Sequence, residues 1–271
     1  MTINRTNFKI KITVLATFFI MIATNALANI LPINGITTGA VSDSYPNLFA
    51  PAGITFSIWG VIYLFLFLYS IYQFGILQGE EDPYKEEIFK KIGLMFSLSS
   101  ILNTIWILTW HYGLLWASVP IMLGILLLLI YINSITKNAE LSLKDYIFIR
   151  FPFSIYLGWI TVATIANITA LLVKIGFNGF GISEEIWTVA VLIIGLIIAS
   201  LTILRNRDPA YGLPVIWAYI GIYIKHISKD GWNAEYGTVI FAVVASIVIL
   251  VMAEIYTLFN LKKKDVRKRD L

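Results

Sequence analysis

Apolar residues along this chain come in unbroken stretches of about twenty, neither alternating with polar ones nor confined to one helical face. Short segments holding most of the charges separate them. Apolar windows near 12 to 31, 52 to 74, 92 to 110, 113 to 134, 151 to 173, 186 to 204, 211 to 227 and 237 to 260 predict eight helices. Barrel strands would show alternation in segments of about ten residues, so the pattern points to an all-α, polytopic transmembrane helix bundle. The seventh window is the weakest. It is short, contains Pro214 and ends on Lys225 and His226; a full crossing is expected, with a re-entrant segment as the alternative.

Basic residues test that count independently, because they gather on the cytoplasmic side of short loops. With eight crossings and the N-terminus inside, one side holds Arg5, Lys9, Lys11, Lys85, Lys90, Lys91, Lys137, Lys144, Arg150, Arg205, Arg207 and six residues of the tail from Lys262 to Arg269. The other holds only Lys174, Lys225 and Lys229. A missed or invented helix would scramble this alternation. Both termini are therefore expected in the cytoplasm, with a bacterial inner membrane as the default host. The first window ends near Ala26, Leu27 and Ala28, which also reads as a signal-peptide cleavage site. It continues through Ile30 and Leu31, so it is expected to stay as an anchor.

Composition agrees: 58% of the residues are hydrophobic and 13% charged, about half the charge of a soluble domain. The net charge of +4 invites a nucleic-acid reading, but the concentration of bases directly after an apolar helix is a membrane-surface signal. The expected partners are the lipid bilayer and a hydrophobic small molecule, with no nucleic acid. The chain has no cysteine, which removes disulfides and thiolate chemistry. Of its two histidines, His111 and His226, both fall at helix ends, where solvation is expected rather than ligation of a haem iron.

Two connecting segments differ in kind. Residues 76 to 91 are acidic then basic and read as a solvated cytoplasmic turn. Residues 32 to 51 lack lysine and arginine, are rich in Gly, Thr, Ser and Asp, and lead through Pro46 and Pro51 into the second helix. A structured loop of this length over a bundle mouth predicts a lid.

Eight tryptophans mark candidate interfaces and candidate chemistry. Trp110, Trp116, Trp187 and Trp232 lie near span ends, where an aromatic belt is expected. Trp59 and Trp159 lie inside their helices. Phe56, Trp59, Tyr63 and Phe67 form one stripe, Asn103, Trp106 and Trp110 another, and Trp159, Ala163 and Asn167 a third. An amide in hydrocarbon needs a partner, so Asn103 and Asn167 should face the interior and carry the indoles inward with them. Spacing alone leaves open that these stripes are helix-packing seams. No paired acid and base, activated nucleophile or metal cluster is evident, so no catalytic residue, metal or required cofactor is assigned. Glu254, near the end of the last helix, reads as an interhelical or interfacial partner.

Residues 44 to 63, SYPNLFAPAGITFSIWGVIY, resemble the signature of the tryptophan-rich sensory protein family (TspO, also called translocator protein or peripheral benzodiazepine receptor), with Pro46, Pro51, Trp59 and Tyr63 at its spacing. LNTIW at 102 to 106 and YLGWITVATIAN at 156 to 167 resemble its blocks in the third and fifth helices. Gly53 stands where the family often has tryptophan, and Ser57 where it often has proline.

The resemblance implies a five-helix, TspO-like membrane bundle over residues 1 to 174, followed by a three-helix extension with a basic tail over 175 to 271. It also implies a commonly homodimeric protein whose pocket lies under the first loop and binds a porphyrin, haem or sterol-like molecule. Carried over, the ligand-binding residues are Trp59, Tyr63, Asn103, Trp106, Trp159 and Ala163, with Pro46, Phe49 and Pro51 in the lid. The competing expectations are a transporter of a small amphipathic solute and an accessory membrane subunit.

Overall fold

A computed structural model describes residues 5–76, 78 and 83–269, with Arg5, Thr6 and residues 262–269 described by backbone only. Every regular element among them is helical. In chain order these are α1 (Arg5–Ile30), α2 (Thr38–Asp43), α3 (Ile58–Tyr72), α4 (Pro83–His111), α5 (Leu115–Asn138), α6 (Leu143–Asp145), α7 (Phe151–Lys174), α8 (Glu184–Asn206), α9 (Pro209–Ile227) and α10 (Gly237–Arg269). A 3-10 turn, Gly53–Ser57, leads into α3, and a π-helical turn, Tyr146–Arg150, joins α6 to α7.

Seven helical stretches are long and apolar enough to cross a membrane: those in α1, Gly53–Tyr72, α4, α5, Leu143–Lys174, α8 and α10. The chain is a multi-pass membrane protein. The eighth long helix, α9, falls outside that group by composition, and its surroundings explain why. Tyr211, Val215, Ala218, Tyr219 and Ile222 are all buried against protein, so α9 needs less apolar surface than a helix bathed in lipid. Its start lies beside Ser154 and Arg150, and its end reaches Leu48 and Asp43 at the opposite end of the bundle. The helix thus runs the full height of the bundle.

Helices α1, α4, α5, α7 and α3 pack in a closed ring, each against the next, with α3 completing the circuit to α1. The other three long helices, α8, α9 and α10, pack on one another and join the ring chiefly along α7 and α9. That seam is close because residue 158 is glycine: a Cβ there would overlap the Tyr211 carbonyl and stand 2.7 Å from Pro214 Cγ.

Helix ends depart from the apolar windows. Residues 83–91, expected as a solvated turn, form the first turns of α4 instead. Several of their charges are paired: Glu86 with Lys11 at 2.6 Å, Glu87 with Lys91 at 2.7 Å and Lys85 with Asp145 at 3.0 Å. Glu80, Glu81 and Asp82 of that segment lie outside the described residues, as do the side chains of the basic tail. Hydropathy marks the lipid layer, whereas backbone hydrogen bonding continues wherever charged side chains reach water.

The α7–α9 seam gives a direct test. Gly158→Val should overpack it and cost roughly 1–3 kcal/mol, read as a lower melting temperature in detergent. Gly60→Val, where an added Cβ meets nothing within 4 Å, should leave the melting temperature unchanged or raise it.

Candidate functional site

Two hydrogen-bonded relays hold the interior of the five-helix ring. Asn25 Nδ2 donates to Asn103 Oδ1 at 2.8 Å, and Asn103 Nδ2 donates to the Tyr156 hydroxyl at 3.1 Å, tying α1 to α4 and α7. Trp106 Nε1 donates to Asn167 Oδ1 at 2.9 Å, and Asn167 Nδ2 to Ser118 Oγ at 2.8 Å, tying α4 to α7 and α5. Asn103 and Asn167 are buried, as an amide in hydrocarbon requires.

These relays hold a cluster of rings around Trp59. Its indole stacks on Tyr63 at a centroid separation of 5.2 Å and an angle of 22°. Tyr156 at 5.9 Å and Trp159 at 6.0 Å meet it edge-on, and Trp106 lies 6.4 Å away. Phe56 meets the far side of Trp159 at 6.0 Å. Edge and offset contacts of this kind suit the ring quadrupole and resist reorientation.

A cavity of about 620 Å³ opens between α1 and α3 beneath α2. The two helices touch through Phe18, Phe19 and Phe67 nearer the charged end of the bundle and part beyond it. One face of α1, comprising Ile22, Asn25, Ala26 and Asn29, forms one wall; Phe56, Trp59, Gly60 and Tyr63 form the other. Thr37, Thr38, Gly39 and Ala40 roof it, and Gly53 and Ser57 line its mouth. The missing side chain at Gly53 is part of that space, since a Cβ there would touch nothing within 4 Å. Tyr63 carries its hydroxyl buried and without a partner, as Trp159 does its indole N–H.

Of the six candidates for ligand contact, only Trp59 and Tyr63 line this cavity. Asn103, Trp106 and Trp159 stand behind Trp59 as its support, and Ala163 is half-buried farther along α7. Pro46 and Phe49 line a different space of about 400 Å³ with Phe177, Glu184 and Trp187, between the loop, α7 and α8. Pro51 is buried. Among the cavity residues that spacing did not single out are Asn25, Asn29, Asp43 and the small residues of α2. The asparagine pair was detectable, being two amides four apart in an apolar helix, the same signal that marks Asn103.

The 32 to 51 segment is strapped down rather than loose. His111, expected to be solvated, is buried; its ring contacts Thr38 Oγ1 and the Ile33 carbonyl, each at 3.0 Å. His226 is also buried, with Nε2 2.9 Å from the Leu48 carbonyl. Lys225 pairs with Asp43 at 2.9 Å, Ala52 N–H donates to the Gly221 carbonyl, and Trp217 Nε1 donates to the Thr55 carbonyl. Trp110, expected in the interfacial belt, is buried instead, donating to the Thr38 carbonyl and stacking on Trp106 at 5.9 Å. Trp116 is 70% exposed, as a belt residue would be. Phe67, grouped by spacing with Trp59, turns toward α1 and is partly exposed.

Neither the curated proteins nor the solved structures searched contain a match to this chain. A family profile described as TSPO-like protein matches residues 11–256, from the first helix to within α10. The match therefore runs past the five-helix ring and through α8 and α9. By that match, and by the three sequence blocks whose indoles and amides meet around Trp59, the chain belongs to the TspO family of membrane proteins.

Proposed function

We propose that the protein binds a flat, hydrophobic ligand of the porphyrin class in the cavity between α1 and α3, against the stacked Trp59–Tyr63 pair. The observation that carries this reading is the pairing of shape with chemistry. A cavity of about 620 Å³ lies within the roughly 300–1,000 Å³ of small-molecule sites, and an indole held by four other rings forms one wall. The face of a tetrapyrrole can stack on Trp59, while its polar edge can reach the amides of Asn25 and Asn29. The glycines and alanines of the roof and mouth keep the opposite face free. In this reading the first five spans supply the pocket, and the three-helix extension braces its roof through α9. Both termini face the cytoplasm of a cell whose inner membrane holds the protein, as the bias of basic residues supports.

Titration with protoporphyrin IX in detergent, followed by tryptophan fluorescence and corrected for absorption by the porphyrin, tests the pocket. Saturable quenching is expected. Trp59→Leu should weaken it about tenfold, and Trp159→Leu by less, since Trp159 does not line the cavity. Gly60→Leu fills the cavity without a clash and should abolish saturation in a folded protein. Linear quenching, equal in all variants, would mean partition into the micelle and defeat the proposal.

Orientation is open to a separate measurement, because the chain lacks cysteine. An impermeant maleimide applied to intact cells should label Ser44→Cys, beside α2, and should label Asn138→Cys, at the end of α5, only after the membrane is broken. The reverse pattern would invert the proposed topology.

A further inference from the structure

The junction of α7, α9 and α10 buries more negative charge than positive. Asp208 is fully buried at the start of α9. Its Oδ2 accepts from Ser154 Oγ at 2.6 Å and Asn133 Nδ2 at 3.3 Å, and lies 3.4 Å from Arg150 Nη2. Its Oδ1 has no partner. Glu254 of α10 is 7% exposed, and its Oε1 is likewise unpartnered. That carboxyl fits against α9 only because residue 212, one turn from Asp208, is glycine; a Cβ there would overlap Glu254 Oε1.

Among the described residues Arg150 is the cation that pairs with Asp208, and it is shared. Its Nη2 also donates to the Asn206 carbonyl at 2.9 Å, and its guanidinium lies 5.8 Å from the ring of Tyr146. The π-helical turn Tyr146–Arg150 supplies both residues, as wide turns commonly do where function needs two side chains on one side. The other charges nearby are committed or turned outward. Lys137 of α5 donates to Asn206 Oδ1 at 2.9 Å, and Arg205 and Arg207 of α8 are exposed. The Tyr211 hydroxyl of α9 contacts Thr161 Oγ1 at 3.2 Å. Two carboxylates against one guanidinium leave one uncompensated negative charge inside a membrane bundle. Such a charge is neutralised more cheaply by binding a proton than by remaining ionised.

We infer that Asp208 and Glu254 form a proton-binding site in which the pair shares one proton, carried on Glu254, the carboxyl that no cation meets. A cavity of about 530 Å³ comes within one residue of the site, with Asn133 standing between it and Asp208. Its charged-end lining comprises Ser134, Lys137, Asn138 and Asn206; its inner wall includes Tyr211 and Asn133, and Asn133 donates to Asp208. This cavity shares no lining residue with the one beside Trp59, so the proton site stands whether or not a porphyrin binds.

Dicyclohexylcarbodiimide, which attacks protonated carboxyls in apolar surroundings, tests this on the intact full-length protein in liposomes, with adducts mapped by mass spectrometry. One adduct per chain is expected on Glu254, its rate falling about tenfold per pH unit on the alkaline side. Glu254→Gln should lose it. Asp208→Asn should slow it at least tenfold, because Arg150 is then free to pair with an ionised Glu254. In parallel, the infrared carbonyl band of a protonated carboxyl should be present in the parent and absent in Glu254→Gln. No adduct on Glu254 across the neutral and alkaline range, with no such band, would overturn the inference. Labelling blocked by sodium or potassium but indifferent to pH would also overturn it, in favour of a metal-cation site. Equal labelling in Asp208→Asn would overturn the sharing of the proton.

Discussion

An amide side chain in hydrocarbon must find a partner, and most of the interior of this protein follows from how four asparagines do so. Asn25 bonds to Asn103 and Asn103 to Tyr156, while Asn167 bonds to Trp106 and Ser118, and together they link α1, α4, α5 and α7. Asn133 repeats the pattern nearer the charged end, bridging α5 to Ser154 and Asp208. Leaving one such group unpaired costs roughly 1–3 kcal/mol, so each relay also fixes the rotation of its helices. Trp106 is thereby held by Asn167, Tyr156 by Asn103, and Trp59 acquires a rigid backing. A cavity wall that does not rearrange is the condition for recognising a flat ligand by stacking, because little conformational entropy is then lost on binding.

The roof over that wall depends on a different part of the chain. Residues 43 to 55 receive contacts from Gly221, Trp217, Lys225 and His226 of α9, and Glu184 of α8 accepts from the Leu48 N–H. Thr55 packs so closely on α9 that a Cβ at Gly221 would overlap its side chain. Helices α8 and α9 therefore hold one side of the segment, and α4 holds the other through Trp110 and His111. This gives α8 and α9 a physical relation to the pocket although neither lines it.

Spans were legible because the lipid layer imposes one simple rule on composition, and α9 was weak for the same reason: packed on α7, α8 and α10, it answers to protein rather than lipid. Asn103, Asn167, Trp59 and Trp159 were legible as interior because an amide at helical spacing from an indole fixes the face of both. Trp110, His111 and His226 were not, since a residue at a span end meets water unless a distant loop folds over it, and nothing local records that the 32 to 51 segment does so. The cavity itself was least visible. It consists of what Gly39, Gly53 and Gly60 lack, and absent side chains leave no mark on hydropathy. Glu254 reads from the sequence as an interhelical or interfacial partner, but its neighbour Asp208 lies at a helix boundary, where an acid is unremarkable until α7, α9 and α10 close around it.

The central claim is that the ligand sits between α1 and α3, and a structure of the protein with protoporphyrin bound tests it most directly. The account predicts the macrocycle stacked on Trp59, flanked by Tyr63, with its edge toward Asn25 and Asn29. A macrocycle seated instead between the loop, α7 and α8, against Phe49, Phe177 and Trp187, with the α1–α3 cavity unchanged, would contradict it.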